Sequence, residues 1–317
     1  MDKTLFTYTL TPGQAETLGQ VTAGMSALRR VQAPYTTLAL KGPKLTVMLY
    51  TSGKLVVQGK EAQDFVLFTL EPLVLKQATL GYEEALDPTL YAPHMGTDES
   101  GKGDIFGPLV TCAAFIDEAT GKALADLGVR DSKTIADGQI QKLAAQIRKL
   151  LGRQNVAVVL LRPPTYNRLY AKIPNVNRLL AWCHARAIET LAEQRPDCTR
   201  AVVDQFARTE ATVARALMAR GRKLKVEQMH KAERDIAVAA ASVLARDLFV
   251  TEMRHLGEAA GLPLPKGAGP QVPVTLRALI AQKGPSCLTD FAKCHFKTVH
   301  EALAATGHGD ALPLGED

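Results

Sequence analysis

The chain has 317 residues, of which 46% are hydrophobic and 22% charged, and its formal net charge is +6 at pH 7. This length allows one long domain or two ordinary ones, and the composition is typical of a soluble globular protein. No run approaches the roughly 18 consecutive apolar residues of a membrane helix, and the N-terminus lacks the features of a secretory signal peptide. The five cysteines form no CxxC pair, which favours packing thiols in a reducing, cytoplasmic setting.

The positive charge is unevenly distributed. Residues 1–93 hold eight Lys or Arg and eight Asp or Glu, so the whole excess of six lies in residues 94–317. Residues 29–60 nevertheless contain six basic residues and no acidic one. We therefore expect a polyanionic partner, and one basic face on the otherwise neutral N-terminal part.

The N-terminal part is predicted to be a small α+β unit. Apolar residues at helical spacing predict a helix over residues 14–30. Three short strands and a second helix follow, at residues 36–40, 45–50, 54–58 and 61–71. Residues 76–93 contain a glycine and two prolines and are expected to be a linker, so the domains are predicted to span 1–75 and 94–317.

From residue 94 onward, strands alternate with helices, which predicts an α/β layer architecture. The predicted strands are 95–98, 109–116, 156–161 and 201–204, and the predicted helices are 140–151, 177–193, 211–220 and 232–250. A glycine-rich turn joins the first two strands, and the continuous apolar run at 156–161 is typical of a buried strand.

Residues 97–108 carry the clearest chemical signal in the chain. Adjacent carboxylates, Asp98 and Glu99, stand directly before the tripeptide Gly101-Lys102-Gly103. Acids bind hard divalent cations, glycines let a backbone approach a ligand closely, and a lysine seats a phosphate. Metal chemistry on a phosphodiester is therefore the first function to consider.

Two further acids stand out by context. Asp204 ends a run of three apolar residues, and Glu233 is predicted to open a helix whose alanine-rich face can press closely against a sheet. Taken singly, Asp204 could be an ordinary loop residue and Glu233 an ordinary N-terminal helix charge. Ligands of open α/β sheets bind at the carboxyl ends of the strands, where these acids are expected to meet.

Together the four acids suit the hydrolysis of a phosphodiester. In-line hydrolysis commonly uses two metal ions about 3.5–4 Å apart, held by several carboxylates. Oxygen ligands favour Mg²⁺ or Mn²⁺. Without metal, clustered carboxylates would repel one another, so a cluster of acids that binds no metal is not expected.

Two competing motifs are weaker. Residues 96–102 fit the GxxxxGK pattern of a nucleotide-binding loop, but Gly103 replaces the expected Ser or Thr, and a strand is predicted to follow where a helix belongs. Cys183-His184 could suggest zinc, but neighbouring residues on a helix point apart.

The motifs resemble those of the prokaryotic ribonucleases H of type 2, and most closely the type 3 branch, ribonuclease HIII. The resemblance covers nearly the whole chain and is carried by Asp98 to Pro108 (DESGKGDIFGP), Asp131-Ser-Lys133, Tyr166 to Tyr170 (YNRLY), Asn177 to His184 (NRLLAWCH), Val203-Asp204-Gln-Phe, and His230-Lys-Ala-Glu233 with the following VAAAS. Glutamate at position 233 resembles the type 3 branch, whose members carry glutamate there, whereas the main type 2 enzymes carry aspartate.

The resemblance implies an RNase H-like α/β domain, with a mixed sheet flanked by helices, that cleaves the RNA strand of RNA/DNA hybrids. Products would carry 5′-phosphate and 3′-hydroxyl ends. Asp98 would bridge two Mg²⁺ or Mn²⁺ ions, and Glu99, Asp204 and Glu233 would complete their ligand shells. The substrate-binding residues would be Ser100, the backbone of Gly101, Lys102 and Gly103 at a 2′-hydroxyl, and Lys102, Lys133 and Lys231 at phosphates.

The branch is also similar in having an added N-terminal domain of TATA-box-binding-protein-like fold. Such a domain suits the acid-free stretch, and we expect substrate contacts among Lys41, Lys44, Lys54 and Lys60. No obligatory protein partner is implied, and a monomer is expected.

Two departures bear on specificity. The Gly101-Lys102-Gly103 turn is more similar to the basic GRG of ordinary type 2 enzymes than to the GTG common in type 3. Phe296 aligns with the type 2 tyrosine that stacks on a deoxyribose, and it lacks the hydroxyl. We therefore expect poor cutting beside a single embedded ribonucleotide. A hybrid-binding protein without catalysis and a DNA-directed nuclease of the same fold are the alternatives.

Overall fold

The computed structural model describes residues 4–25, 27–76, 91–129, 132, 135–204, 211–229 and 232–311. The chain divides into two compact units, residues 1–90 and 91–317. The predicted domain limits of 1–75 and 94–317 stay predictions, because most of the proposed linker at 76–93 lies outside the described residues. None of the described helices is long and apolar enough to cross a membrane.

The N-terminal unit is α+β, as predicted. Its strands are β1 (Leu5–Thr9), β2 (Arg29–Arg30), β3 (Thr36–Lys41), β4 (Thr46–Tyr50) and β5 (Lys54–Gln58), and its helices are α1 (Pro12–Ala23) and α2 (Ala62–Phe65), continued by a π-helical segment, Val66–Leu75. The strands form an antiparallel sheet in the order β1-β5-β4-β3-β2. The helices cover one face, where Leu18, Phe65 and Leu70 pack on strand residues such as Val47 and Leu55.

Two helices of this unit differ from the prediction. The helix predicted over 14–30 begins at Pro12, because Thr11 and Gln14 form a capping box, and it ends at Ala23 with Gly24 as its C-cap. Arg29 and Arg30 belong to a strand instead. The helix predicted over 61–71 is α2 followed by the π-helical segment, which contains Pro72.

The second unit is α/β. Its strands are β6 (His94–Ser100), β7 (Leu109–Ile116), β8 (Val156–Leu161), β9 (Arg200–Asp204) and β10 (Lys225–Met229). Its helices are α3 (Glu118–Asp126), α4 (Asp137–Leu151), α5 (Pro163–Lys172), α6 (Val176–Gln194), α7 (Ala211–Ala216), α8 (Ile236–Ala260), α9 (Gln271–Lys283), α10 (Leu288–Phe291) and α11 (Lys297–Ala305).

These strands form a mixed sheet between two layers of helices. The order is β10-β9-β6-β7-β8, in which β10, β9 and β6 are parallel and β6, β7 and β8 are antiparallel. Helices α4 and α8 pack on one face of the sheet, and α6 and α7 pack on the other. The α/β architecture and the hairpin of β6 and β7 were both predicted.

Three predictions for this unit were wrong in detail. Strand 156–161 is not fully buried, because β8 is an edge strand and the side chain of Val158 is 47% exposed. The helix predicted over 211–220 ends at Ala216. The helix predicted over 232–250 begins at Ile236 and runs to Ala260, with Asp235 as its N-cap.

Candidate active site

Asp98 and Asp204 lie side by side at the ends of neighbouring parallel strands. In the register of β6 and β9, Thr97 pairs with Val203, so the two aspartates are the next pair along. Successive side chains of a strand point to opposite faces, which places both aspartates on the face that α8 covers. Asp98 is buried and Asp204 is half-buried. Two carboxylates thus converge at the carboxyl end of the sheet, as predicted.

A glycine brings the start of α8 close to this pair. A Cβ atom at Gly96, two residues before Asp98, would lie 2.2 Å from the backbone nitrogen of Val238. Only a residue without a side chain permits this approach of helix and strand. The alanines that follow Val238 are buried, so the prediction of a small-residue helix face pressed on the sheet is confirmed.

The backbone of Glu233 lies next to Asp204. Residues Ala232–Arg234 form a short 3₁₀ turn before α8, and the backbone N–H of Ala232 donates to Asp204 Oδ1 at 3.1 Å. Glu233 therefore does not sit in the first turn of the helix, because Asp235 caps α8 by accepting from the backbone nitrogens of Ala237 and Val238. The side chain of Glu233 lies outside the described part of the structure.

Glu99 points to the opposite face of β6 and meets His184 on α6. The Nε2 atom of the buried His184 lies 3.1 Å from Glu99 Oε2, and its Nδ1 atom lies 2.9 Å from Thr97 Oγ1. An imidazole protonated at Nε2 donates to Glu99 and accepts from the Thr97 hydroxyl, which satisfies all three groups. This role of His184 was missed in the sequence, although an isolated histidine on the apolar face of a predicted helix was a usable signal.

The acids offer only hard oxygen ligands. Among the side chains that the structure describes, no three His, Cys, Asp or Glu residues are arranged to hold a metal ion, and Glu233 falls outside that set. Asp98 and Asp204 share one face, and the thiol of Cys183, next to His184 in the sequence, is buried with its pKa raised by burial to about 12. Carboxylate oxygens at one sheet edge suit Mg²⁺ or Mn²⁺ and do not suit a thiophilic ion.

The loop from residue 101 to 108 leaves β6 immediately after the acids and returns as β7. Gly101 has φ +91°, and a Cβ atom there would lie 2.2 Å from the carbonyl oxygen of Pro108. The N–H of Asp104 donates to the carbonyl of Gly101 at 3.3 Å, which closes the turn. Gly103 is exposed and has nothing within 4 Å of its Cβ position. A strand follows the loop, which confirms that it is not the nucleotide-binding loop type.

Comparison with known proteins identifies the family. The model of the ribonuclease HII family matches residues 95–299, and a model described as a domain of unknown function (DUF3378) matches residues 11–71. Ribonuclease HIII of Chlamydia caviae is 43% identical over 272 residues, or 85% of this chain and 88% of that protein. Ribonuclease HIII of Protochlamydia amoebophila is 41% identical over 273 residues, or 86% of this chain and 88% of that protein. The chain belongs to the ribonuclease HIII family.

Solved structures of this family have a similar fold. Bst-RNase HIII in complex with Mn²⁺ is 28% identical, with a TM-score of 0.65 over 97% of this chain and 100% of that chain. Aquifex aeolicus RNase H3 is 27% identical, with a TM-score of 0.55 over 92% of this chain and 100% of that chain. The predicted RNase H-like fold is confirmed, and the chain is a ribonuclease H endonuclease.

Other residues predicted for this ribonuclease HIII site are placed only in part. Lys133 and Lys231 lie outside the described residues. Ser132 of the Asp-Ser-Lys motif is described, and its buried hydroxyl lies 2.8 Å from that of Ser242 on α8. Phe296 is the N-cap residue of α11, half-buried, with its ring centroid 4.3 Å from that of His295.

The basic residues of the N-terminal unit fall in two groups. Lys41 and Lys54 alternate with buried core residues, so they lie on the sheet face that the helices leave open. Arg29 is directly opposite Lys41 in the register of β2 and β3. Like charges opposite each other destabilise a sheet, so this pair suits an anionic ligand. Lys44 pairs with Glu61 at 3.4 Å, and Lys60 is exposed beyond β5.

Proposed function

We propose that this chain hydrolyses the RNA strand of RNA/DNA hybrids with two Mg²⁺ or Mn²⁺ ions, leaving 5′-phosphate and 3′-hydroxyl ends. The observation that carries the proposal is the pair of Asp98 and Asp204 on adjacent strand ends, with the turn of Glu233 hydrogen-bonded to Asp204. Membership of the ribonuclease HIII family and the likeness to a Mn²⁺ complex support it.

The four carboxylates have distinct duties in this proposal. Asp98 precedes Glu99 on β6, pairs in register with Asp204 on β9, and would contact both ions, while Asp204, Glu233 and Glu99 would complete their ligand shells. When bound, such ions activate an attacking water and stabilise the leaving oxygen of the phosphodiester. His184 holds the Glu99 carboxylate in place through a hydrogen bond, so the side chain is already oriented before a ligand arrives.

Strand choice is proposed to depend on the loop after β6. Ser100 and the backbone of Gly101, Lys102 and Gly103 lie next to the acids, and the exposed Gly103 lets a ribose approach closely. Backbone groups there can pair with a 2′-hydroxyl, the group that distinguishes RNA from DNA. Lys102, Lys133 and Lys231 are proposed to bind phosphates, and Phe296 to stack on a sugar.

The N-terminal unit is proposed to be a TATA-box-binding-protein-like domain, within residues 1–75, that binds the duplex through its open sheet face. Lys41 and Lys54 lie on that face, and we keep Lys44 and Lys60 as further contacts at its margin. Residues 76–93 would link it to the catalytic domain at 94–317. We also propose that the enzyme acts as a cytoplasmic monomer, a setting that suits its five buried free thiols.

The test is a cleavage assay on a duplex of labelled RNA and DNA, run with Mg²⁺, with Mn²⁺ and with EDTA. Cleavage with either metal and none with EDTA is expected, and phosphatase and polymerase-extension assays should show 5′-phosphate and 3′-hydroxyl ends. A duplex with one embedded ribonucleotide should be cut poorly. Binding without turnover would instead support a hybrid-binding protein, and cleavage of an all-DNA duplex would support a DNA-directed nuclease.

A further inference from the structure

Lys293 is a fully buried lysine on the segment between α10 and α11. Its Nζ atom donates to the carbonyl oxygens of Asp104 at 2.7 Å and Gly107 at 2.8 Å. It also lies 5.7 Å from the ring centroid of Tyr166, within the range of a cation–π contact. All three partners are internal, so this amino group serves no surface function.

The backbone of the same segment is paired with the loop. The N–H of Lys293 donates to the carbonyl of Ile105 at 2.8 Å, and the N–H of Gly107 donates to the carbonyl of Phe291 at 3.0 Å. Phe106 and Ala292 form an antiparallel bridge between these contacts. Residues 291–293 therefore run alongside 105–107, and the Lys293 side chain reaches the carbonyls of Asp104 and Gly107 in the same loop.

Burying this amino group carries a cost that ordinary packing does not explain. Desolvation lowers the pKa of Lys293 to about 7, and the nearby Asp104 carboxylate opposes part of that effect. His295 is a further ionisable neighbour, and burial together with Lys293 and His300 lowers its pKa to about 4. An apolar side chain would avoid the desolvation but would leave two buried carbonyls without these donors. The amino group keeps at least two N–H donors whether or not it is charged, so both contacts persist.

Asp104 connects this anchor to the tip of the loop. Its carbonyl accepts from Lys293, its carboxylate accepts from the backbone nitrogen of Gly267 at 2.7 Å, and its N–H closes the turn onto Gly101. Asp104, at the end of this turn, is thus held by two hydrogen bonds, one from the side chain of Lys293 and one from the backbone of Gly267. Removing the Lys293 donors frees the end of the turn whose other residues are proposed to read the 2′-hydroxyl.

We propose that Lys293 is a positioning residue for RNA recognition, which holds the backbone of Gly101 to Asp104 in the conformation that accepts a ribose. The inference rests on the proposed function, since it assigns the loop a contact with the 2′-hydroxyl. Lys293 touches no substrate and acts only through the loop carbonyls.

The test compares Lys293→Met with Lys283→Met, which removes a lysine from the exposed C-terminal end of α9. Both changes are made in an Asp98→Asn background, and fluorescence anisotropy gives the Kd of an RNA/DNA hybrid and of an all-DNA duplex of the same sequence. Circular dichroism and thermal unfolding establish that each protein is folded. The readout is the ratio of the two Kd values, which a general loss of stability does not change.

Lys293→Met is expected to reduce the preference for the hybrid by about tenfold, as befits two lost hydrogen bonds, while Lys283→Met leaves it unchanged. An unchanged preference in folded Lys293→Met overturns the proposal. If that variant does not fold, Lys293→Gln takes its place: its shorter side chain keeps a donor that can reach one carbonyl, and an intermediate preference is expected, whereas an unaltered one overturns the proposal. A parent protein with no preference for the hybrid would contradict the proposed function itself.

Discussion

His184 orients Glu99 through a hydrogen bond of 3.1 Å between Nε2 and Oε2, and Thr97 fixes the other ring nitrogen at 2.9 Å. The imidazole is fully buried, so the three side chains form a chain of contacts that excludes water from one side of the carboxylate. As a proposed metal ligand, Glu99 held in this way would need no reorientation on binding.

Replacing His184 should therefore weaken metal use more than it weakens duplex binding. His184→Ala is expected to lower turnover by about 10- to 100-fold and to raise the metal concentration for half-maximal activity. His184→Gln is the control, because its amide can place an N–H near the position of Nε2 and should restore much of the activity. Metal titrations of both folded variants check this, and equal metal dependence in the alanine variant and the parent would contradict it.

Gly96 should tolerate no side chain. Gly96→Ala places a methyl group 2.2 Å from the backbone nitrogen of Val238, so α8 must move away from β6. We expect a loss of about 1–3 kcal/mol in the free energy of unfolding. Gly138→Ala in α4, where nothing lies within 4 Å of the added methyl group, is the matched control and should not destabilise the protein. Urea unfolding of both variants and the parent measures this loss. A Gly96→Ala variant as stable as the parent would show that α8 does not pack this closely on β6.

The residues around the acids show what the sequence can and cannot predict. Asp98 and Asp204 were correctly predicted to meet because parallel strands bring their carboxyl ends to one edge of a sheet, whereas Glu99, which was expected to join them, points to the opposite face of β6. Glu233 was assigned to α8 but lies in the 3₁₀ turn before it, because Asp235 is the N-cap of that helix. The sequence alone does not reveal which acid caps the helix. The contact of His184 with Glu99 joins α6 to β6 over 85 residues of chain. Such a contact follows from tertiary packing and not from local spacing.

The missed elements include the helices α3, α5, α9, α10 and α11 and three strands, and the three strands have a common physical origin. β1 and β2 are short and carry exposed residues, including the half-exposed Leu5, so they form only because β5 and β3 supply hydrogen bonds. β10 is likewise an edge strand with charged residues, paired with β9 alone among the described strands. Local composition does not predict strands of this kind.

The open sheet face of the N-terminal unit should contribute affinity through phosphate contacts. Lys41→Met and Lys54→Met are each expected to raise the Kd for the hybrid and to reduce the slope of log Kd against log salt by about 1. Lys76→Met, at the end of the π-helical segment, is the control and should change neither quantity. Turnover at saturating substrate should stay near the parent value. A salt slope that does not change in either sheet variant would reject the assignment of this face.

The stability of the protein should respond to the titration of Lys293. The pKa of this lysine falls from 10.5 to about 7 in the folded state. Between these values the unfolded chain binds a proton that the folded chain has released, so the free energy of unfolding rises with pH in that window. The parent should therefore gain stability relative to Lys293→Met as pH increases from 7 to 9, by at most ~1.4 kcal/mol per pH unit. Urea unfolding at several pH values measures it, and a constant difference would contradict it.

The central claim is that the acids at the ends of β6 and β9 are the catalytic centre, and Asp98→Asn tests it most directly. The control is Asp197→Asn, an exposed aspartate that pairs with Arg195 outside the site. Single-turnover cleavage of the RNA/DNA hybrid and its Kd are measured for both. The account predicts that Asp98→Asn slows cleavage by on the order of 10³-fold with little change in Kd, and that Asp197→Asn matches the parent. Cleavage by Asp98→Asn at the parent rate would contradict it.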